Sequence, residues 1–438
     1  MRFLSKYLRY CILAVPLFTV TASYGQSISS DTLVFTKEEA VEFALRHNKS
    51  LIAARTTIEQ AQARHRQSGL RSNPELQVGY TTDKTFNNEG EYRFGIGFEQ
   101  RFPVTNRLRH LKNLAEIEIQ LAEAEVFHHE HLITQRVETA ILNIAQSLEE
   151  LRLRESQIRL NKDFANFVES RVNAGEASSI EVNQVKLELF SVNQEIQQLK
   201  NRLNEQLGSL KQLLGVEVDT AIEILYQFAM PYEPITLPLI TDSVLENHPE
   251  YKLKKLLSQV ADERISLSLA NRWDDLAVGV FFENQRQVDF PIGRQTNNFF
   301  GVSFSIPLPL SNNNYGAYEE SLAYRKQVEL ELEALSLETR ITTETLKEKA
   351  ASLYEQIFEY DTGVTRLVEQ NLRDMNVAYE SGLINLTDLF RSQEQRLRIL
   401  LFQLTMLHDF EQTLVDWKAA AHLNIDSKAA THPHANPS

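Results

Sequence analysis

Two long stretches of the chain carry apolar residues at steps of four and three. Ile133, Val137, Ile141, Ile144, Leu148 and Leu151 form one stripe; Leu346, Ala350, Leu353, Ile357, Tyr360, Val364 and Leu367 form the other. A spacing that averages 3.5 residues predicts helices that supercoil on a partner. The first long helix is expected over residues 105–172 and the second over 315–380. Shorter helical segments flank them at 37–72, 176–214, 241–270 and 383–423. At 1.5 Å per residue the first long helix spans about 100 Å, roughly the summed length of 37–72 and 176–214. Each half of the chain therefore reads as a rod, with one continuous helix beside two stacked ones.

Four short stretches change period. Leu76, Val78 and Tyr80 alternate with Glu75, Gln77 and Gly79, and Phe94, Ile96 and Phe98 with Gly95, Gly97 and Glu99. Leu276, Val278, Val280 and Phe282 alternate with Asp275, Ala277 and Gly279. Phe300, Val302, Phe304 and Ile306 alternate with Gly301, Ser303 and Ser305. Alternation at two predicts strands at about 75–82, 92–102, 275–283 and 298–306, bulky and apolar on one face, small or polar on the other. Strands of about ten residues can cross a bilayer when tilted, and the same pattern also suits hairpins lying on a soluble core.

The two halves repeat one plan. Glu75–Tyr80 resembles Asp275–Val280 at an offset of 200, and Phe94–Phe98 resembles Phe300–Phe304 at 206. Pro103 matches Pro309 at 206, and Gly175 matches Gly382 at 207. Ordered matches with a slowly drifting offset indicate a tandem duplication. The fold class that follows is mainly α with a small β part: duplicated coiled-coil helical hairpins plus two β-hairpins per chain. The divisions are 1–25 as a signal peptide, 26–215 as the first repeat, 216–240 as a linker, 241–424 as the second repeat and 425–438 as a disordered tail.

The first residues set the compartment. Arg2, Lys6 and Arg9 precede the apolar run Ile12–Ala22, which small residues follow: the form of a secretory signal, cleaved after Ala22 or Gly25. No later stretch approaches the roughly 20 apolar residues of a spanning helix. Loss of the three basic residues takes the net charge from -14 to -17, against a nucleic-acid partner, which needs a basic face. Glycine (15) and proline (12) are too scarce in 438 residues for a chain of many short elements. The single Cys11 lies inside the signal, so the mature chain has no disulfide framework, Cys-rich metal site or acyl anchor. No phosphate-binding Gly-rich loop, Gly-x-Ser-x-Gly, His-Glu-x-x-His or cysteine nucleophile occurs, and neither an enzyme nor a cofactor is expected.

A sheet in lipid cannot leave an edge open, because each unpaired backbone group there costs several kcal/mol. Four strands cannot close a barrel, since the smallest have about eight. Several chains must share one.

At this point the chain resembles the TolC family of outer-membrane efflux channels. The residues that carry the likeness are Phe35-Thr36-Lys37-Glu38-Glu39-Ala40-Val41 with Ala44, Leu45 and Asn48, and Asn73-Pro74-Glu75-Leu76. Pro307-Leu308-Pro309-Leu310 and a Gly-x5-acid turn at both helix tips add to it. Gln67–Pro74 and Ile306–Asn312 are similar to the branch that serves heavy-metal cation exporters. The resemblance implies a homotrimer with a shared 12-stranded β-barrel in outer-membrane lipid and a 12-helix tunnel crossing the periplasm. It also implies a periplasmic adaptor and an inner-membrane transporter of the RND type as partners, with passive exit of substrates, heavy-metal cations among the candidates. The rival readings are a periplasmic coiled-coil structural protein, or an adaptor, without a pore.

Gly175 and Gly382 end the long helices, and an acid follows each after five residues: Glu181 and Asp388. Ser178-x-x-Glu181 and Asn385-x-x-Asp388 read as helix caps with an acid favourable to the helix dipole. The resemblance implies that such acids line a closed periplasmic mouth, and the two readings are compatible. Where the family carries a second acid, this chain has Arg391, which suggests an Asp388–Arg391 pair. Arg171, Asn173, Ala174, Glu176 and Ala177 are expected at an exposed tip that an adaptor could touch. His128 and His131 share a helix face at i, i+3 and could bind a metal, although a solvated patch is the expected reading, and no metal site is assigned. A metal role for His432 and His434 in the tail is equally unassigned.

Overall fold

The computed structural model describes residues 32–422 apart from 86–88, 177, 232–236, 239–241, 290 and 362. The signal segment with Cys11, the tail with His432 and His434, and the tip residue Ala177 lie outside the described residues.

In chain order the first half runs β1 (Leu33–Phe35), α1 (Lys37–His47), α2 (Lys49–Gln67), β2 (Glu75–Thr82), β3 (Tyr92–Phe102), α3 (Arg107–Asn173) and α4 (Ser179–Leu214). The strand β4 (Ile222–Ile224) then pairs in parallel with β1. The second half runs α5 (Asp242–Leu245), α6 (Pro249–Ala270), β5 (Leu276–Asp289), β6 (Gly293–Ser305), α7 (Tyr315–Asp361), α8 (Val364–Glu380) and α9 (Leu386–Ala421). The protein is mainly helical, with a small sheet.

α3 is one unbroken helix of 67 residues, hence about 100 Å long. Ile133, Val137, Ile141 and Ile144 of its stripe are buried against Leu51 of α2 and Leu210 and Leu214 of α4, with Leu148 packed at the rim. Farther down, Ile158 meets Val192 and Ile196 of α4, beside Leu151. At the far end Val168 joins Val185 of α4, Leu372 and Tyr379 of α8, and Leu386 and Leu389 of α9. That last cluster draws on both halves, so the two tips are one packed body.

Three expected helices are interrupted. The segment 37–72 breaks at Asn48, whose backbone leaves the helical region (ψ 119) and whose side chain accepts the Leu51 N–H at 2.9 Å, capping α2. The segment 241–270 breaks at His248, 200 residues later, because Pro249 starts α6 and disfavours helical backbone at the residue before it. The long helix expected at 315–380 is divided: α7 ends at Asp361 and Gly363, with φ 147, precedes α8. A φ that only glycine adopts readily resets the helical phase. Ala350, Ile357 and their partners face the core of α7 and α9, but Leu367, the last of the expected stripe, is 68% exposed while Leu372 and Tyr379 turn inward.

β2, β3, β5 and β6 form one antiparallel sheet in that order, β3 of the first half pairing with β5 of the second. Direct cross-strand partners include Val78, Ile96, Phe282 and Phe300 on one face. On the other face Gly97, Phe281 and Gly301 stand opposite one another. The second hairpin continues beyond the apolar alternation, pairing Glu283–Asp289 with Gly293–Phe299. A ladder of backbone hydrogen bonds does not need an apolar face, so pairing runs on where hydrophobicity stops. β2 and β6 each leave one edge unpaired.

Candidate functional site

Two regions carry the structural features a conduit would need: the sheet and the paired helix tips. In the sheet, the face bearing Leu76, Val78, Phe98, Val280, Phe300, Val302 and Phe304 is exposed and apolar. An exposed apolar patch of this kind marks a surface covered by lipid or protein. The opposite face holds glycine, serine and charges. Arg93 pairs with Glu283 at 3.1 Å, and Arg101 lies within 3.6 Å of Glu75 and 3.7 Å of Glu99. Phe281 and Phe299, the latter opposite Glu283, are the aromatic exceptions on that face. The Phe281 ring lies across Gly301, where an added Cβ would meet Cε1 at 2.6 Å, and its Cβ lies over Gly97. An aromatic ring thus fills the space Gly301 leaves.

At the tips α3 and α8 each end on a glycine in the left-handed region, Gly175 at φ 78 and Gly382 at φ 71. The hydrogen bonds match: Gly175 N–H donates to Val172 O and Glu176 N–H to Arg171 O, as Gly382 N–H does to Tyr379 O and Leu383 N–H to Ala378 O. These are the bonds that close a helix whose C′ residue is left-handed. The next helix starts on a capped residue in both halves. Ser178 Oγ accepts the Ile180 N–H at 3.1 Å, and Asn385 Oδ1 accepts the Asp388 N–H at 2.9 Å. Glu181 and Asp388 occupy the first turns, where the helix dipole favours an anion.

The two acids have different surroundings. Glu181 accepts a hydrogen bond from the Tyr379 hydroxyl at 2.8 Å, which joins α4 of the first half to α8 of the second. Burial, and then the hydrogen bond and charge of Glu181, push the Tyr379 phenol up to about 12, so it stays a donor at neutral pH. Asp388 stays on its own helix, with Arg391 4.0 Å away, the outer limit of an ion pair, and well exposed. Gly175, Gly382, Asn173, Ala174 and Glu176 are exposed. Arg171 is not a free surface arginine: its guanidinium stacks over Phe167 and Tyr379, at 5.9 and 5.7 Å from the ring centroids. The aromatic rings beneath it explain the shift from expected contact residue to half-buried packing element.

Tyr379 escaped the reading of the sequence, yet it occupies an apolar slot with a hydroxyl that must find a partner when buried. Phe281 could have been noticed as an aromatic on the small-residue face. The histidines also sort differently from their spacing. His129 is exposed, while His131 is tied to α9: its Nε2 lies 2.8 Å from the Ala419 carbonyl and its Nδ1 3.4 Å from Nδ1 of His422. His248 is 8% exposed, and its imidazole is pushed down to about 4, by burial first and then by the charges of His131, His422 and His128. Among the described residues no helix is long and apolar enough to cross a membrane.

The family described as "Outer membrane efflux protein" matches residues 40–216. No curated protein matches the chain by sequence. Solved structures match its fold across nearly the whole length. CusC is 15% identical, with a TM-score of 0.71, 91% of this chain and 95% of that chain covered. The outer membrane protein VceC of Vibrio cholerae is 19% identical, at 0.68, with 88% and 95% covered. The MtrE outer membrane channel of Neisseria gonorrhoeae, in its open state, is 15% identical, at 0.67, with 88% of each chain covered. The family match thus takes in most of the first half of the chain, and the fold shared with these channels runs through both halves.

Proposed function

We propose that three copies of this chain close one barrel and one helical tunnel, giving substrates passive exit from the periplasm to the exterior. The observation that carries this reading is the four-stranded sheet with an apolar face and two unpaired edges. In lipid those edges must be paired, and the edges β2 and β6 of neighbouring copies are the available partners. Three copies supply twelve strands, enough to enclose a lumen lined by the small and charged face. Exposed apolar residues on the helices, such as Leu187, Phe190, Leu337 and Ile341, are then the contacts between neighbours in the tunnel.

The tips form the mouth. Three Asp388 carboxylates, with Glu181 behind them, ring the opening, and a ring of this sign favours cations over anions. Arg391 moderates that charge. Gly175 and Gly382 turn the chain at the outermost point, where a periplasmic adaptor docks on the exposed residues beside them; an inner-membrane transporter of the RND type supplies the energy. Heavy-metal cations are the proposed cargo, supported by the acidic mouth and by the resemblance of Gln67–Pro74 and Ile306–Asn312 to the branch that serves heavy-metal cation exporters. Opening separates α8 and the start of α9 from their neighbours.

Cysteine at Asp388, cross-linked between subunits, should block efflux in cells and be relieved by reduction. Unimpaired efflux with complete cross-linking would overturn the mouth assignment. A purified chain that stays monomeric in detergent and forms no channels in lipid would overturn the conduit itself.

A further inference from the structure

The middle of the molecule gathers histidines from three elements: His128 and His131 on α3, His248 at the start of α6, and His422 at the end of α9. We propose that His131 and His422 bind a zinc-like divalent cation at the seam between the long helix of the first half and the last helix of the second.

The geometry of two nitrogens carries the proposal. Nδ1 of His131 and Nδ1 of His422 are 3.4 Å apart. Nε2 of His131 lies 2.8 Å from the carbonyl oxygen of Ala419. A carbonyl can only accept, so Nε2 bears the hydrogen and Nδ1 presents its lone pair to His422. Ligating histidines are held in this way, the far nitrogen donating to a backbone carbonyl and the near one free for the ion. Two nitrogens each about 2.0–2.1 Å from a tetrahedral ion stand about 3.3–3.4 Å apart. Ligands at right angles, as in a square-planar cupric site, would stand about 2.8–2.9 Å apart at the same bond length. The observed separation matches the tetrahedral spacing.

The backbone positions both rings. His131 sits within an unbroken helix, and His422 closes α9 in the left-handed conformation, φ 49, with Phe127 of α3 edge-on to its ring at 5.4 Å. His128 and His248 each have a buried Nδ1 with no hydrogen-bond partner, so two more imidazoles stand in the same region unspent. Among the described residues no three ligating side chains converge on one point; the pair is an open site whose remaining positions fall to water. A bound ion would fasten the end of the second half to the first, whatever the channel carries.

The test uses the full-length protein, stripped of metal and held in detergent. Titration with Zn²⁺ should show about one ion per chain, and Co²⁺ in its place should give the intense visible bands of a tetrahedral complex. His131→Ala and His422→Ala should each weaken Zn²⁺ binding at least tenfold, whereas the double change His432→Ala and His434→Ala in the tail should leave it intact. Absence of saturable binding, a weak octahedral Co²⁺ spectrum, or binding that disappears only with the tail histidines would overturn the proposal. The Co²⁺ spectrum of the natural chain decides the matter even if a variant misfolds.

Discussion

Replacing Tyr379 with phenylalanine removes one hydroxyl from the joint between the two tips and little else. The ring keeps its packing against Phe164 at 5.0 Å and beneath Arg171. The loss is the 2.8 Å bond to Glu181. A hydrogen bond to a charged group contributes about 1.5–3 kcal/mol where both partners are buried. Tyr379 is 3% exposed but the carboxylate is only half-buried, so about 1 kcal/mol per subunit is the appropriate figure after screening. If three tips open together, the closed state loses about 3 kcal/mol, and with 1.4 kcal/mol per factor of ten the open-to-closed ratio rises roughly 150-fold. Open probability of single channels in planar bilayers reads this directly. Glu181→Gln, which retains an acceptor but no charge, should give a smaller increase. An open probability for Tyr379→Phe within twofold of the natural channel, in a trimer of unchanged mass, would refute the reasoning: the bond would then persist equally in both states.

Three further expectations follow from other parts of the fold. His248 is held neutral, its imidazole pushed down to about 4, so its contribution is complete above about pH 6.5 and lost as the pH falls toward 4. Thermal denaturation between pH 8 and 4 should show that loss, on the order of 2 kcal/mol, and His248→Gln should flatten the profile. Gly215→Ala should destabilise the protein by about 2 kcal/mol or more, because the residue sits at φ 71 and the new Cβ would meet the His47 carbonyl carbon at 2.9 Å; the melting temperature checks it. Phe281→Ser, which removes the ring lying across Gly301, should widen the lumen and raise single-channel conductance, and an unchanged conductance would place that ring outside the ion path.

The unbroken α3 was legible because a seven-residue stripe over many turns has one economical solution, a helix packed along its length. Its counterpart was legible only in part. Residues 346–361 follow the same stripe, but Gly363 interrupts the helix, and the isolated glycine in a helical pattern did not announce whether it would be tolerated or would break the phase. The break at Asn48 was hidden for a similar reason, whereas Pro249 marks the one at His248 in the sequence itself. Asn48 has its side-chain amide donating to Leu213 O on α4 at 2.8 Å, and that partner is 165 residues away.

The tip acids show the same division. Glu181 and Asp388 stand at equivalent places in the duplicated sequence, and local capping makes them look alike. Tyr379 separates them, since only packing of α8 against α4 brings its hydroxyl to one acid and not the other. The helix face shared by His128 and His131 was visible from spacing, but the partner of His131 proved to be His422, from the far end of the chain.

Period and repetition along the chain determined the elements, their lengths and the two-fold plan, because those depend on which neighbours three, four or two residues away share a face. Tertiary structure alone decided that β3 would pair with β5, leaving β2 and β6 open, and which side chains from distant segments would meet at the tips and the histidine seam. Contacts of that kind arise from the docking of whole helices and hairpins, whose geometry is set by every packed residue at once.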